Sequence, residues 1–309
     1  MSGMPLLFEM PGQEPLASRL ARVLPAERGR MEIRHFPDGE TYVRVDSPCD
    51  GRDVVLAATL AQPDALALPL LFAVRGLRDR GARRIVLAAP YLAYMRQDVR
   101  FRPGEVVTSM VFADFLGALA DGLVTVDPHL HRYHSLAELY RVPARVVHAA
   151  PAVASWIADH VTAPLLIGPD SESEQWVSDV AGLARAPHVV LSKTRRGDRD
   201  VEIEVPPLEP WSGRTPVLVD DIVSTAGTMI ETVTHLRRAR YPAPVCVGVH
   251  GLFAGDAYAA LKRAGAGTIV TANTVPHPSN RIDLTEVLAG ALRELLDPPP
   301  DDSASETVP

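Results

Sequence analysis

Apolar residues in this chain collect in short runs, and stretches of helical periodicity separate them. Val54–Thr59 predicts a buried strand and Asp64–Arg80 an amphipathic helix that stops at Gly81. Arg84–Ala89 predicts a strand, the region around Val107–Ala120 a helix, and Gly122–Asp127 a third strand. The second half keeps the rhythm. Helices are expected at Ala152–His160, Glu174–Ala184, Thr228–Arg240, Asp256–Ala264 and Leu284–Leu296. Strands are expected at Pro164–Gly168, Val189–Lys193, Pro216–Asp220, Val245–Gly251 and Thr268–Ala272. Short apolar strands with helices between them predict an α/β fold, each domain a mostly parallel sheet flanked by helices.

A chain of 309 residues suggests two domains of roughly 150 residues each. The expected division is 1–147, 148–297 and a Pro-, Asp- and Ser-rich tail, 298–309, expected to be disordered, with packing of the last helix back on the first domain as the alternative. No internal sequence repeat is evident. The net charge is -7 and no basic block or stripe occurs, so nucleic acid is not an expected partner. Cys49 and Cys246 lie far apart, which excludes a disulfide scaffold or a zinc ribbon and suits a reducing compartment. Met1–Met10 lacks a basic segment followed by a long apolar run, and no stretch reaches a membrane span. A cytoplasmic protein with no membrane partner is expected.

The most informative segment runs from Val217 to Thr228. An apolar strand meets two carboxylates, Asp220 and Asp221, then the small and hydroxylated residues Ser224, Thr225, Ala226, Gly227 and Thr228, then a helix. Backbone N–H groups and hydroxyls of such a loop converge on one phosphate, and the positive end of the helix favours it. The carboxylates at the strand end are suited to ribose hydroxyls or a hydrated Mg²⁺. A Walker A loop is excluded, since GxxxxGK[ST] is absent. The segment resembles the ribose-5-phosphate loop of the phosphoribosyltransferase superfamily.

Other motifs narrow the resemblance to the ribose-phosphate diphosphokinases, or phosphoribosyl diphosphate synthetases. Phe36-Pro37-Asp38-Gly39-Glu40, on a turn between two candidate strands, resembles their Phe-x-Asp-Gly-Glu segment. Pro90 to Asp98 resembles their Pro-Tyr-x-x-Tyr-x-Arg-Gln-Asp segment, and Val126-Asp127-Pro128-His129 their Val-Asp-x-His. Lys193 and Arg195 match their Lys-x-Arg flap, where period-two spacing aims two cations at one side. His250–Phe253 and Asn273–His277 resemble further segments, so the likeness runs from about Phe36 to Leu292.

The resemblance implies a definite set of roles. Phe36, Asp38, Gly39, Glu40, Arg96, Gln97 and Asp98 would bind ATP, with the 36–40 turn near a subunit interface of a homo-oligomer. Asp220, Asp221 and Ser224 to Thr228 would bind ribose 5-phosphate. Lys193 and Arg195 would be catalytic, and His129 and Asp170 would hold Mg²⁺. Val99–Val106, with Arg100 and Arg102 beside Pro103-Gly104, reads as a mobile lid. Zinc at His129, His131, His134 and His148 is disfavoured, because no cysteine accompanies them and HExxH is absent. Ser224 and Ala226 depart from the Asp and Gly frequent in bacterial relatives. The rival readings are a phosphoribosyltransferase that consumes the same sugar diphosphate and a catalytically silent, synthetase-associated regulatory subunit.

Overall fold

Burial of the apolar runs produces two units: Met1–Val147 with the stretch from Thr285 onward, and His148–Leu284. The computed structural model describes residues 3–130, 132–169, 173–195, 201–204 and 209–297, with 192–195 and 201–204 given by their backbone. The expected tail, 298–309, lies outside the described residues.

Unit 1 contains β1 (Leu6–Glu9), α1 (Glu14–Val23), β2 (Glu27–Arg28), β3 (Met31–His35), β4 (Thr41–Val45) and β5 (Asp53–Ala57). It continues with α2 (Pro63–Asp79), β6 (Arg84–Ala88), α3 (Thr108–Leu119), β7 (Gly122–Val126) and β8 (Ala144–Val147). Six strands form one sheet in the order β2-β1-β5-β6-β7-β8, every pair parallel. β3 and β4 make a separate antiparallel hairpin. All five residues of β5 are buried, as expected of a parallel strand covered on both faces. Helix α2 starts with Pro63, whose missing N–H has no role in a first turn, and ends before Gly81 at φ +87°.

Unit 2 contains α4 (Ala150–His160), β9 (Pro164–Gly168), α5 (Glu174–Ala184), β10 (His188–Val190), β11 (Ser192–Arg195) and β12 (Val201–Glu204). β13 (Thr215–Val223), α6 (Gly227–Arg238), β14 (Val245–Gly251), α7 (Ala257–Arg263), β15 (Thr268–Ala272) and β16 (Asn280–Ile282) follow. Its sheet order is β10-β9-β13-β14-β15-β16, again all parallel, with β11–β12 as an antiparallel hairpin. The connectivity of the first sheet is thus repeated, hairpin included, without a visible sequence repeat. Its core gathers Ile167, Leu218, Val233, Leu236 and Leu261 between sheet and helices.

Two expectations are corrected. The single strand Val189–Lys193 is two: β10 pairs parallel with β9, and beyond Leu191 the chain leaves the sheet to form β11. β13 runs to Val223 rather than Asp220, so both aspartates lie within the strand. The last helix, α8 (Thr285–Leu296), groups with unit 1, the alternative named for it, and does not close 148–297. Its apolar stripe, Leu288, Leu292, Leu295 and Leu296, is buried. Polar contacts hold it there too. Arg293 donates to the Val23 carbonyl at 2.9 Å, Arg145 meets Glu294 at 3.0 Å, and Arg84 donates to the Leu296 carbonyl. An amphipathic stripe announces burial but not which sheet receives it.

No helix among the described residues is long and apolar enough to cross a membrane. Gly248, paired with Asp220, lies under the end of β13, and a Cβ there would come within 2.5 Å of Val223 Cγ2. Gly248→Ala is therefore expected to destabilise the protein by about 1–3 kcal/mol, as overpacking does. A urea unfolding curve reads this as a lower midpoint with an unchanged slope.

Candidate active site

β13 carries Asp220 and Asp221, both half-buried, to the carboxyl edge of the unit 2 sheet. Open parallel sheets bind ligands at that edge. One Asp221 oxygen accepts the Ile222 N–H at 2.7 Å. Beyond Val223 the chain turns through Ser224 and Thr225 to Ala226, which stands in the left-handed region at φ +58° and ψ 17°. This conformation, uncommon for any residue with a Cβ, reverses the chain into α6. No side-chain hydrogen bond caps the start of α6. Its first N–H groups have no intrahelical acceptor, and with the Ser224, Thr225 and Thr228 hydroxyls nearby in sequence they have the chemistry of a candidate anion cradle.

Unit 1 supplies a natural control. The corresponding link, from β5 into α2, is Ala58–Gln62. It contains no carboxylate, its only hydroxyl, Thr59, is buried, and α2 opens on Pro63, which has no N–H. Of these two corresponding links, the one in unit 2 has the chemistry of an anion cradle.

Lys193 and Arg195 lie on β11, opposite Ile203 and Val201 of β12. β12 in turn comes close to α6, the helix that the cradle opens. β11 and the loop from Ser224 to the start of α6 are therefore carried by neighbouring elements of one unit. Asp170 lies outside the described residues, as does His131.

The remaining candidates belong to unit 1. Phe36–Glu40 forms the tip of the β3–β4 hairpin, closed by Phe36 N–H to the Glu40 carbonyl at 2.8 Å, with Gly39 at φ +93°. Asp38 Oδ1 accepts the Glu40 N–H at 3.2 Å. The Arg34 guanidinium lies 4.8 Å from the Phe36 ring and 4.2 Å from that of Tyr42, steadying a partly exposed aromatic. Arg96 is exposed on the loop after β6, while the Gln97 side-chain oxygen accepts from Thr108 Oγ1 at 3.1 Å where α3 begins. Asp98 is half-buried and ion-paired with Arg132 at 3.3 Å, and its carbonyl accepts from Tyr133 at 3.3 Å. These contacts tie the loop after β6 to the one after β7, which carries the half-buried His129. Arg132 and Tyr133 were not legible as site residues, because nothing in the spacing links them to a segment more than 30 positions away. The expected lid, Val99–Val106, is a turn gathered by Glu105, whose carboxylate accepts the N–H groups of Phe101 (2.7 Å) and Arg102 (3.1 Å).

Behind the cradle lies a polar and aromatic network that sequence reading also missed. His277 Nδ1 is 2.7 Å from Ser279 Oγ and accepts the Ser279 N–H at 3.2 Å. Ser279 Oγ reaches Thr271 Oγ1 at 2.7 Å, and Asn280 donates to that hydroxyl at 2.9 Å. Burial, and secondarily the charge of Lys262 on α7, lower the His277 pKa below its ordinary value of 6.5. The folded form thus disfavours the proton that an unfolded histidine takes up. Stability is full above about pH 6.5 and falls as pH drops through the window below it, because the unfolded chain then binds more protons. His277→Gln should flatten this part of the profile; urea midpoints of both proteins at pH 7.5 and 5.5 test it.

A doubly wound unit whose central strand carries two aspartates near its end and leads into an uncapped helix start defines a phosphoribosyltransferase-like α/β protein. Residues 6–119 match the family model of the N-terminal domain of ribose phosphate pyrophosphokinase, and residues 135–282 match that of the phosphoribosyl transferase domain. The chain is 34% identical over 282 residues to a ribose-phosphate pyrophosphokinase of Methanopyrus kandleri, covering 91% of this chain and 96% of that one. It is 32% identical over 291 residues to that of Halobacterium salinarum, with 93% and 100% covered. Its fold matches a phosphoribosylpyrophosphate synthetase from Mycobacterium smegmatis at TM-score 0.82 and 24% identity, over 95% of this chain and 99% of that one. The chain belongs to the ribose-phosphate pyrophosphokinase family and is an enzyme, a transferase.

Proposed function

We propose that the enzyme transfers the β,γ-diphosphoryl group of ATP to the C1 hydroxyl of ribose 5-phosphate, giving 5-phosphoribosyl 1-diphosphate and AMP. The observation that carries this reading is the uncapped start of α6 immediately behind the Asp220–Asp221 pair. A dianionic phosphate suits the N–H groups and hydroxyls of Ser224 to Thr228, and vicinal ribose hydroxyls suit the acceptor-only carboxylates.

The C1 oxygen attacks the β-phosphorus, the bond from that phosphorus to the α–β bridging oxygen breaks, AMP carries the oxygen away, and the hydroxyl proton is released. Lys193 and Arg195 meet charge spreading over the transferring oxygens. Phe36, Asp38, Gly39, Glu40, Arg96 and Gln97 position the nucleotide. Asp98 acts from behind, through Arg132. The assembly is a homo-oligomer, with the 36–40 hairpin near a subunit interface.

Among the described residues no cluster of three or more His, Cys, Asp or Glu side chains could hold an ion unaided. Mg²⁺ does not need one, since it keeps several waters and takes one or two carboxylates plus substrate phosphates. The half-buried Asp220–Asp221 pair fits that mode of binding, and His129 and Asp170 are the further residues proposed to hold the ion. Bound there, Mg²⁺ would neutralise phosphoryl charge.

The test is incubation of the purified chain with Mg²⁺, ribose 5-phosphate and ATP labelled in the β-phosphate, followed by ³¹P NMR. Label should move to the sugar as AMP appears in equal amount. AMP formation that ignores the sugar, or none at all, would reject the reading.

A further inference from the structure

The segment after β14 holds the end of β13 from behind. The N–H groups of Leu252 and Phe253 both donate to the Val223 carbonyl at 3.0 Å, and that of Ala254 donates to the Ser224 carbonyl at 3.1 Å. In a planar trans peptide the N–H points opposite to the C=O. Pinning the carbonyls of Val223 and Ser224 toward 252–254 therefore turns the N–H groups of Ser224 and Thr225 the other way, toward the side an incoming phosphate would occupy. These two N–H groups belong to the cradle.

What keeps 252–254 in place is less obvious, because Phe253 sits at φ +43°, a strained conformation for a bulky residue. Its buried ring closes a triangle with two others. The ring centres of Phe253 and His277 are 4.5 Å apart, those of Phe253 and Tyr258 5.1 Å, and those of Tyr258 and His277 4.7 Å. The backbone strain and the attraction of such ring contacts are of the same order, so the triangle decides whether the conformation persists. His277 is in turn fixed by Ser279, whose N–H it accepts. A Cβ on Gly251 would approach the Phe253 ring to 2.8 Å, so the ring has little room to retreat.

We propose that His277 is a positioning residue for the sugar-phosphate cradle, bracing Phe253 so that 252–254 aims the Ser224 and Thr225 N–H groups at the 5-phosphate. The inference rests on the cradle binding ribose 5-phosphate, as read above. It assigns His277 no contact with substrate.

The test uses the full-length enzyme with His277→Ala, Phe253→Leu and the double variant. KM is measured separately for ribose 5-phosphate and ATP, and ribose 5-phosphate binding is measured by calorimetry. Misaimed donors should raise the KM and Kd for ribose 5-phosphate about ten- to hundred-fold in either single variant, with the KM for ATP unchanged. The double variant should be hardly worse than the singles, because both remove one brace. Should His277→Ala fail to fold, Phe253→Leu carries the same expectation by itself. Ribose 5-phosphate constants within twofold of wild type, or equal losses toward both substrates, would overturn the inference while the cradle reading stands. A wild-type enzyme that did not bind ribose 5-phosphate would instead remove the cradle reading, and this inference with it.

Discussion

Lys193→Ala is expected to lower kcat by about two orders of magnitude or more, as removal of a charge that meets the transition state does. KM for both substrates should change little, since an interaction made only in the transition state lowers kcat and kcat/KM together. Stability should hold. Lys193 lies on the β11–β12 hairpin, whose strands are not part of the six-stranded sheet. Arg195→Ala should behave alike, and the double variant should lose less than the product of the two if the cations act as a unit. Steady-state kinetics beside a thermal melt decide it. Full activity in Lys193→Ala would exclude that residue from the chemistry.

Asp220→Asn carries the second large effect, on binding instead of rate. Hydrogen bonds to a charged acceptor contribute about 1.5–3 kcal/mol each, so the KM for ribose 5-phosphate should rise by about ten- to hundred-fold. KM for ATP serves as the internal comparison and should move far less. If the sugar KM is unaltered in Asp220→Asn, the ribose hydroxyls are held elsewhere.

Legibility in the sequence followed burial. β9, β14 and β15 stand where the apolar runs put them, since interior parallel strands leave no polar alternation to confuse the reading. The edge strands β2, β8 and β16 were not foreseen, because they are short and half exposed and lack a distinctive pattern. Leu191 misled for the opposite reason: it is buried and continues the run, yet there the backbone passes from parallel sheet to antiparallel hairpin. From Asp220 to Thr228 the sequence made the passage from strand through turn to helix legible. The left-handed backbone at Ala226 was not, since alanine gives no hint of it, and neither was the His277 brace, which joins residues remote in sequence only after folding.

The return of α8 to unit 1 bears on how the molecule is made. The rest of unit 1 leaves the ribosome without the helix whose leucines complete its packing, and all of unit 2 is made before that helix. Unit 2 is contiguous and can finish folding while unit 1 still exposes an apolar seam. Nascent unit 1 is thus expected to need protection until α8 emerges, and a stop codon anywhere before Leu292 should leave a chain prone to aggregate rather than a shorter soluble domain.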